Sequence, residues 1–179
     1  QVHLSLNITN LTLGQCTWTV KDMDVYISKI RGSQLAIHFN ISKTSNQNGQ
    51  HNGYREIIID NSTIGGLVVH EGFNVTITGC IIDGNDQNEA RRDTFLYIEE
   101  SIVLIQSVQF TNLQLLSHSA PIVLKSGSNC DISIQNSTFY KNVGLYGLMY
   151  IGNNSNINVI NTLFHGNKAV GADPDYCGG

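Results

Sequence analysis

The chain has 179 residues, 41% of them hydrophobic and only 13% charged, with a formal net charge of −4. That is enough apolar material for one domain, 1–179, with a sizeable core, and the slight acidity offers nothing to nucleic acid or an anionic membrane. Two prolines and no long Ala/Glu/Lys/Leu stretch argue against a helical architecture, and no run approaches the roughly 18 apolar residues of a membrane span.

In chain order, strand-like segments start near Leu4, Val25, Ile57, Val75, Ile102, Ile132 and Ile157, each with apolar side chains on alternate positions. Between them lies a second set: Thr17 to Val20, Leu35 to Phe39, Leu67 to Val69, Phe95 to Ile98, Pro121 to Leu124 and Leu148 to Ile151. Turns rich in Gly, Asn and Ser join them, such as Gly65-Gly66, Gly127-Ser128-Asn129 and Gly152-Asn153-Asn154. The segments from Cys130 and from Ser155 align at a 25-residue offset: Ile132/Ile134 on Ile157/Val159, Asn136 on Asn161, Phe139 on Phe164, and Asn142 on Asn167. A unit this short cannot bury its own apolar face and must stack on a copy of itself. The expected fold is all-β, a parallel β-solenoid of about seven coils with at least two strands per coil, roughly 30 Å tall at about 4.8 Å per coil.

Phe139-Tyr-Lys-Asn142 and Phe164-His-Gly-Asn167, each after Ile-x-Ile/Val-x-Asn-Ser/Thr, resemble the Phe-x-x-Asn half of polymorphic outer membrane protein repeats. The Gly-Gly-Ala-Ile half is echoed only by Gly65-Gly-Leu-Val68 and Tyr146-Gly-Leu-Met149. The resemblance implies a right-handed parallel β-helix and covers about half the chain. A looser similarity, resting on size, glycosylation motifs and open ends, is to extracellular glycoprotein fibrils built from small β-solenoid subunits. In such a stack Phe139 and Phe164 are expected in one internal column. Asn85, Asn112, Asn142 and Asn167 are expected to form a structural amide ladder at turns with left-handed backbone angles.

Asn-X-Ser/Thr occurs seven times, at Asn7, Asn10, Asn40, Asn61, Asn74, Asn136 and Asn153. With 20 Asn and 27 Ser plus Thr in the chain, chance supplies about three. The excess predicts N-glycosylation and, with four cysteines, a secreted extracellular protein. Asn7, Asn61, Asn136 and Asn153 are the best-placed acceptors, and Asn74, at the start of a strand, the weakest. Gln1 is expected to be a mature N-terminus exposed by signal cleavage.

Signals for chemistry are sparse. Polysaccharide-cleaving enzymes of this architecture cluster acids on one strand face, whereas Asp60, Asp83, Asp131 and Asp175 stand at different offsets in their repeats. Asp83, Asn85, Asp86 and Glu89 offer oxygen ligands without the spacing of a calcium-binding loop, so the segment reads as a solvated excursion. The six histidines, at positions 3, 38, 51, 70, 118 and 165, show no metal-ligand spacing, and His70-Glu71 reads as a surface pair. No catalytic residue, metal or cofactor is assigned.

The ends carry the remaining signal. The first segment enters with strand alternation and no capping helix, and the tail from Ala172 to Gly179 is short and polar, so the stack is expected to present uncapped ends. The function expected is a self-assembling structural glycoprotein, subunit of a filament built by head-to-tail stacking on copies of itself. The alternatives are a monomeric adhesion or carbohydrate-binding module using Tyr26, Tyr54, Tyr97, Tyr140 or Tyr150, and a small polysaccharide-degrading enzyme. Cys16 and Cys177 lie some 25–30 Å apart in one stack, beyond the about 7 Å a disulfide spans, but they fall at similar places around the coil. They are therefore candidates for a bond between subunits. The competing arrangement pairs Cys177 with Cys130 and leaves Cys16 and Cys80 free or paired elsewhere.

Overall fold

A computed structural model of the chain describes residues 4–13, 16–21, 23–32, 37–42, 55–70, 73–84, 94–115, 120–125, 130–152 and 155–171. These residues are all-β, in parallel sheets. None forms a helix long and apolar enough to cross a membrane.

The first sheet has seven strands: Ser5–Thr9, Asp24–Ser28, Arg55–Asp60, Phe73–Thr78, Ile102–Gln106, Cys130–Gln135 and Ser155–Ile160, neighbours in the sheet in that order. After each of these the chain turns a corner. From the third onward it enters a second sheet of short strands: Thr63–Ile64, Ile81–Asp83, Gln109–Thr111, Thr138–Tyr140 and Leu163–His165. A third sheet takes Cys16–Lys21, Ile37–Ser42, Gly66–Val69, Leu96–Glu99, Ile122–Lys125 and Met149–Ile151. The chain thus repeats one itinerary, and each pass lies against the pass before it. Both strand sets expected from the sequence are present. The second sheet escaped notice because its two- and three-residue strands are too short to show alternation.

Pairing is in register, so equivalent side chains form columns. One runs through Leu6, Val25, Ile57, Val75, Val103, Ile132 and Ile157, the next through Ile8, Ile27, Ile59, Ile77, Ile105, Ile134 and Val159. Isoleucine and valine suit these positions because the branched side chain is stiff and packs well on a pleated surface. The inward positions are thus Leu6 and Val103, in strands that start at Ser5 and Ile102, as expected near Leu4 and Ile102. Leu4 precedes the strand and is exposed, and Ile102 faces outward. In Ile102-Val-Leu-Ile105 both faces are apolar, so alternation alone cannot say which points in.

Phe110, Phe139 and Phe164 fill one column of the second sheet. Their ring centroids are 4.5 and 4.6 Å apart, with planes inclined by 1° and 2°. These separations match the ~4.8 Å between neighbouring strands, so the backbone sets the ring stack. Phe110 and Phe139 are wholly buried, whereas Phe164 is 49% exposed. Likewise Ile132 and Ile134 are buried, while Ile157 and Val159 are 37% and 46% exposed. The expected register is present, but burial of all four aliphatic side chains is not: no described residue covers the last pass. In the single, unassembled chain Phe110→Ala and Phe139→Ala are therefore expected to cost about 3–5 kcal/mol each and Phe164→Ala only about 1 kcal/mol, as read from denaturant unfolding. Equal losses would mean that Phe164 is covered.

Candidate functional site

The corner after the first sheet is built the same way seven times. The residue following each strand has positive φ: Asn10 (54°), Lys29 (56°), Asn61 (45°), Gly79 (59°), Ser107 (56°), Asn136 (48°) and Asn161 (48°). Asn and Gly reach this left-handed region at least cost. The N–H of each of the first six donates to the carbonyl closing the strand of the next pass, from Asn10 to Ser28 at 3.2 Å through Asn136 to Ile160 at 3.0 Å. From the second level to the sixth the residue after it is buried, and where it is serine the hydroxyl replaces a backbone partner. Ser62 donates to the Asp60 carbonyl at 2.7 Å and accepts from the Ile30 N–H at 3.1 Å. Ser137 does the same with Gln135 and Val108.

This corner accounts for three of the seven glycosylation motifs. Asn10, Asn61 and Asn136 stand in the left-handed column, all exposed, each followed two residues later by a strand-forming Thr. The backbone alone therefore favours Asn-x-Thr here, which explains part of the excess over chance. Asn7 is exposed on the outer face of the first sheet, whereas Asn74 is half-buried, with its Oδ1 buried and unbonded. Asn40 lies on a strand but its side chain, like the whole of Asn153, lies outside the described residues.

The amide ladder divides into two columns. Asn142 is fully buried. Its Nδ2 donates to the Phe110 carbonyl and to Asn167 Oδ1, both at 3.0 Å, and its Oδ1 accepts from the Leu113 N–H at 3.0 Å. Asn167 Nδ2 donates to the Phe139 carbonyl at 2.9 Å. Neither has the left-handed backbone expected of it. That belongs to the residue before, in the column of Asn112 (φ 55°), Lys141 (54°) and Gly166 (66°). Asn112 therefore stands outside the ladder, one residue early, and bonds Asp83 Oδ1 at 3.3 Å; Leu113 occupies its place. Asn85 lies outside the described residues. Asn142→Ala strands the Leu113 N–H and Phe110 carbonyl in the core and is expected to cost about 2–4 kcal/mol, against about 1 kcal/mol for Asn167→Ala; chemical denaturation gives both values.

The acids do not converge. Asp60 and Asp131 are on the first sheet three passes apart, Asp83 is on the second sheet, and Asp175, Asp86 and Glu89 lie outside the described residues. Sequence reasoning missed a different grouping, because its members are 32 residues apart: Asp24 Oδ1 accepts from the Glu56 N–H, and Tyr26 donates to Glu56 Oε2 at 3.0 Å. That hydrogen bond, with lesser contributions from partial burial and the charges of Glu56 and Asp24, raises the Tyr26 phenol above its ordinary value. Among the described residues no three His, Cys, Asp or Glu group as a metal site. His70 Nδ1 lies 3.7 Å from Glu99, whose Oε2 accepts from Tyr97 at 2.9 Å; its expected neighbour Glu71 lies outside the described residues. The tyrosines are spread over three faces: Tyr26 on the first sheet, Tyr140 on the second, Tyr97 and Tyr150 on the third, with Tyr54 outside the described residues. Among the described tyrosines, Tyr97 and Tyr150 share a column of the third sheet, two strands apart.

Cys80 corrects its place among the disulfide candidates. It is a free, buried thiol in the position that Ser62 and Ser137 take at other levels, contacting the Thr78 carbonyl at 3.1 Å and that of Ile59 at 3.4 Å. Cys16 opens a strand of the third sheet on the first pass, and Cys130 one of the first sheet on the sixth. Five strand spacings, about 24 Å, separate their backbones, so they do not bond each other. Their side chains and all of Cys177 lie outside the described residues. Burial above all pushes the Cys80 thiol up to about 11. The folded state thus keeps a proton that the unfolded chain loses from its ordinary value of 9.0 upward, and the associated stability falls as pH rises from about 9 through about 11. Cys80→Ser should fold, keep the carbonyl contacts and lose this alkaline dependence in denaturant titrations across that window.

Comparison with known protein families, curated proteins and solved structures returns no match.

Proposed function

We propose that the passes close into a right-handed parallel β-helix of about seven coils, and that the protein is a secreted structural glycoprotein assembling head-to-tail into a filament. The open last pass carries this reading. Ile157, Val159 and Phe164 continue the core columns yet stand between 37% and 49% exposed, a surface that resembles a core cut across.

The opposite edge strand of the same sheet fits it. Leu6-Asn-Ile-Thr-Asn10 and Ile157-Asn-Val-Ile-Asn161 carry apolar residues at the same two inward positions, Asn at the same outward one and Asn at the same left-handed corner. Stacking a second copy's first strand on the last strand of the first would extend every column by one more level in the established register, and would give the open edge its backbone partners. Leu4, also exposed, extends the receiving face. The Phe-x-x-Asn resemblance to polymorphic outer membrane protein repeats belongs to this reading, supported by the stacked Phe139/Phe164 and bonded Asn142/Asn167 pairs. Exposed Asn7 and Asn136 support extracellular N-glycosylation.

Negative-stain microscopy tests the assembly. Fibres are expected for the native protein, with an axial repeat of about seven strand spacings, roughly 34 Å, and dispersed particles for Val159→Lys/Phe164→Lys, which burdens only the exposed pass. Dispersed native particles would overturn the proposal. Intact mass should fall on treatment with an amidase that removes N-glycans, and an unchanged mass would end the glycoprotein part.

A further inference from the structure

A cleft of about 450 Å³ opens at the first corner, lined by Asn10, Leu11, Thr12, Lys29, Arg31 and Asn61. Three consecutive passes build it. Lys29 and Arg31 come from the middle pass, Asn10 and Thr12 from the pass on one side, where Thr12 pairs in register with Arg31, and Asn61 from the pass on the other. Among the described residues no carboxylate lines it. Asp60, beside Asn61, is engaged by Asn61 Nδ2 at 2.7 Å and Thr78 Oγ1 at 3.1 Å.

Lys29 is anomalous in its column. The other six levels hold Asn, Gly or Ser, and a lysine is less favourable than glycine in left-handed backbone. The comparable lysine of the neighbouring corner, Lys141, has a local reason for its place, its Nζ lying 4.9 Å over the Tyr140 ring. Among the described residues Lys29 and Arg31 make no ion pair. Two uncompensated cations two residues apart, on a chain of net charge −4, form a local positive site against the general field.

We infer that this corner binds an acidic saccharide, one bearing sulfate or carboxylate groups. Arg31 and Lys29 supply the charge-assisted bonds that an anionic substituent requires. The amides of Asn10 and Asn61 and the Thr12 hydroxyl match sugar hydroxyls as donors and acceptors, and exposed Leu11 offers an apolar patch for the C–H face of a ring. The volume falls within the range of small-ligand sites, about 300–1,000 Å³. An acidic peptide would use the cations but not this ring of amide and hydroxyl groups.

The test is calorimetric titration of the soluble protein, bearing no glycan, with a sulfated oligosaccharide, its desulfated and carboxyl-reduced counterpart, and polyglutamate, at low and at physiological salt. The sulfated probe is expected to bind, the neutral counterpart not, and polyglutamate at least tenfold more weakly. Lys29→Asn/Arg31→Gln should weaken binding of the sulfated probe tenfold or more. The asparagine fits, since Asn10, Asn61, Asn136 and Asn161 already adopt that backbone. The charge-matched control Lys141→Gln/Lys168→Gln should change affinity less than twofold, and unchanged thermal unfolding shows that each variant is folded. Absence of binding, equal binding of polyglutamate, or equal losses in the two double variants would each overturn the inference. A protein that stays monomeric would not, because the cleft lies within one chain.

Discussion

The hydrogen bonds between neighbouring passes hold their backbones about 4.8 Å apart, so each side chain's nearest neighbours are its counterparts one pass above and one below. Everything else in the molecule is a response to that spacing. An isoleucine column is favourable because identical branched side chains nest at this distance. Phenylalanine rings stack nearly parallel, at 4.5 and 4.6 Å, because the strands leave them no other separation. An asparagine bonded to the asparagine of the next pass satisfies buried amides that would otherwise stand unpaired in the core.

The same spacing explains what the sequence could reveal. The 25-residue match between the last two full repeats preserves Ile, Phe and Asn at their columns, so the pairing of Phe139 with Phe164 and Asn142 with Asn167 was legible. The parity of Ile102 was not, since an all-apolar run has no outward mark, and Leu4 differs from Leu6 only by lying before the strand. Asn112 shows another limit: one residue of slippage takes an asparagine from a hydrogen-bonded interior column to a left-handed corner, and both sites favour the same residue. The cleft beside Lys29 and Arg31 was illegible because its walls come from three passes.

At the first corner, backbone geometry and surface chemistry act on separate atoms. The left-handed residue is held by its own N–H, bonded to the next pass, while its side chain points away from the columns. Asn, Lys, Ser and Gly therefore share one conformation there and differ only in what they offer to solvent. The corner can carry amides at one level and a cation at the next without any change in the core.

The reach of the hydrogen bonds has a mechanical consequence. Those joining different passes link residues one pass apart, 18 to 32 positions in those between side chains and the chain they stack on. Among the described residues no hydrogen bond ties the first pass to the last. Such a molecule behaves less like a globule than like a stack of coins glued face to face: pulled along its axis it parts at its weakest junction, and a flaw in one level weakens two joints and no others. Strength along that axis is set by the poorest interface, whatever the number of levels.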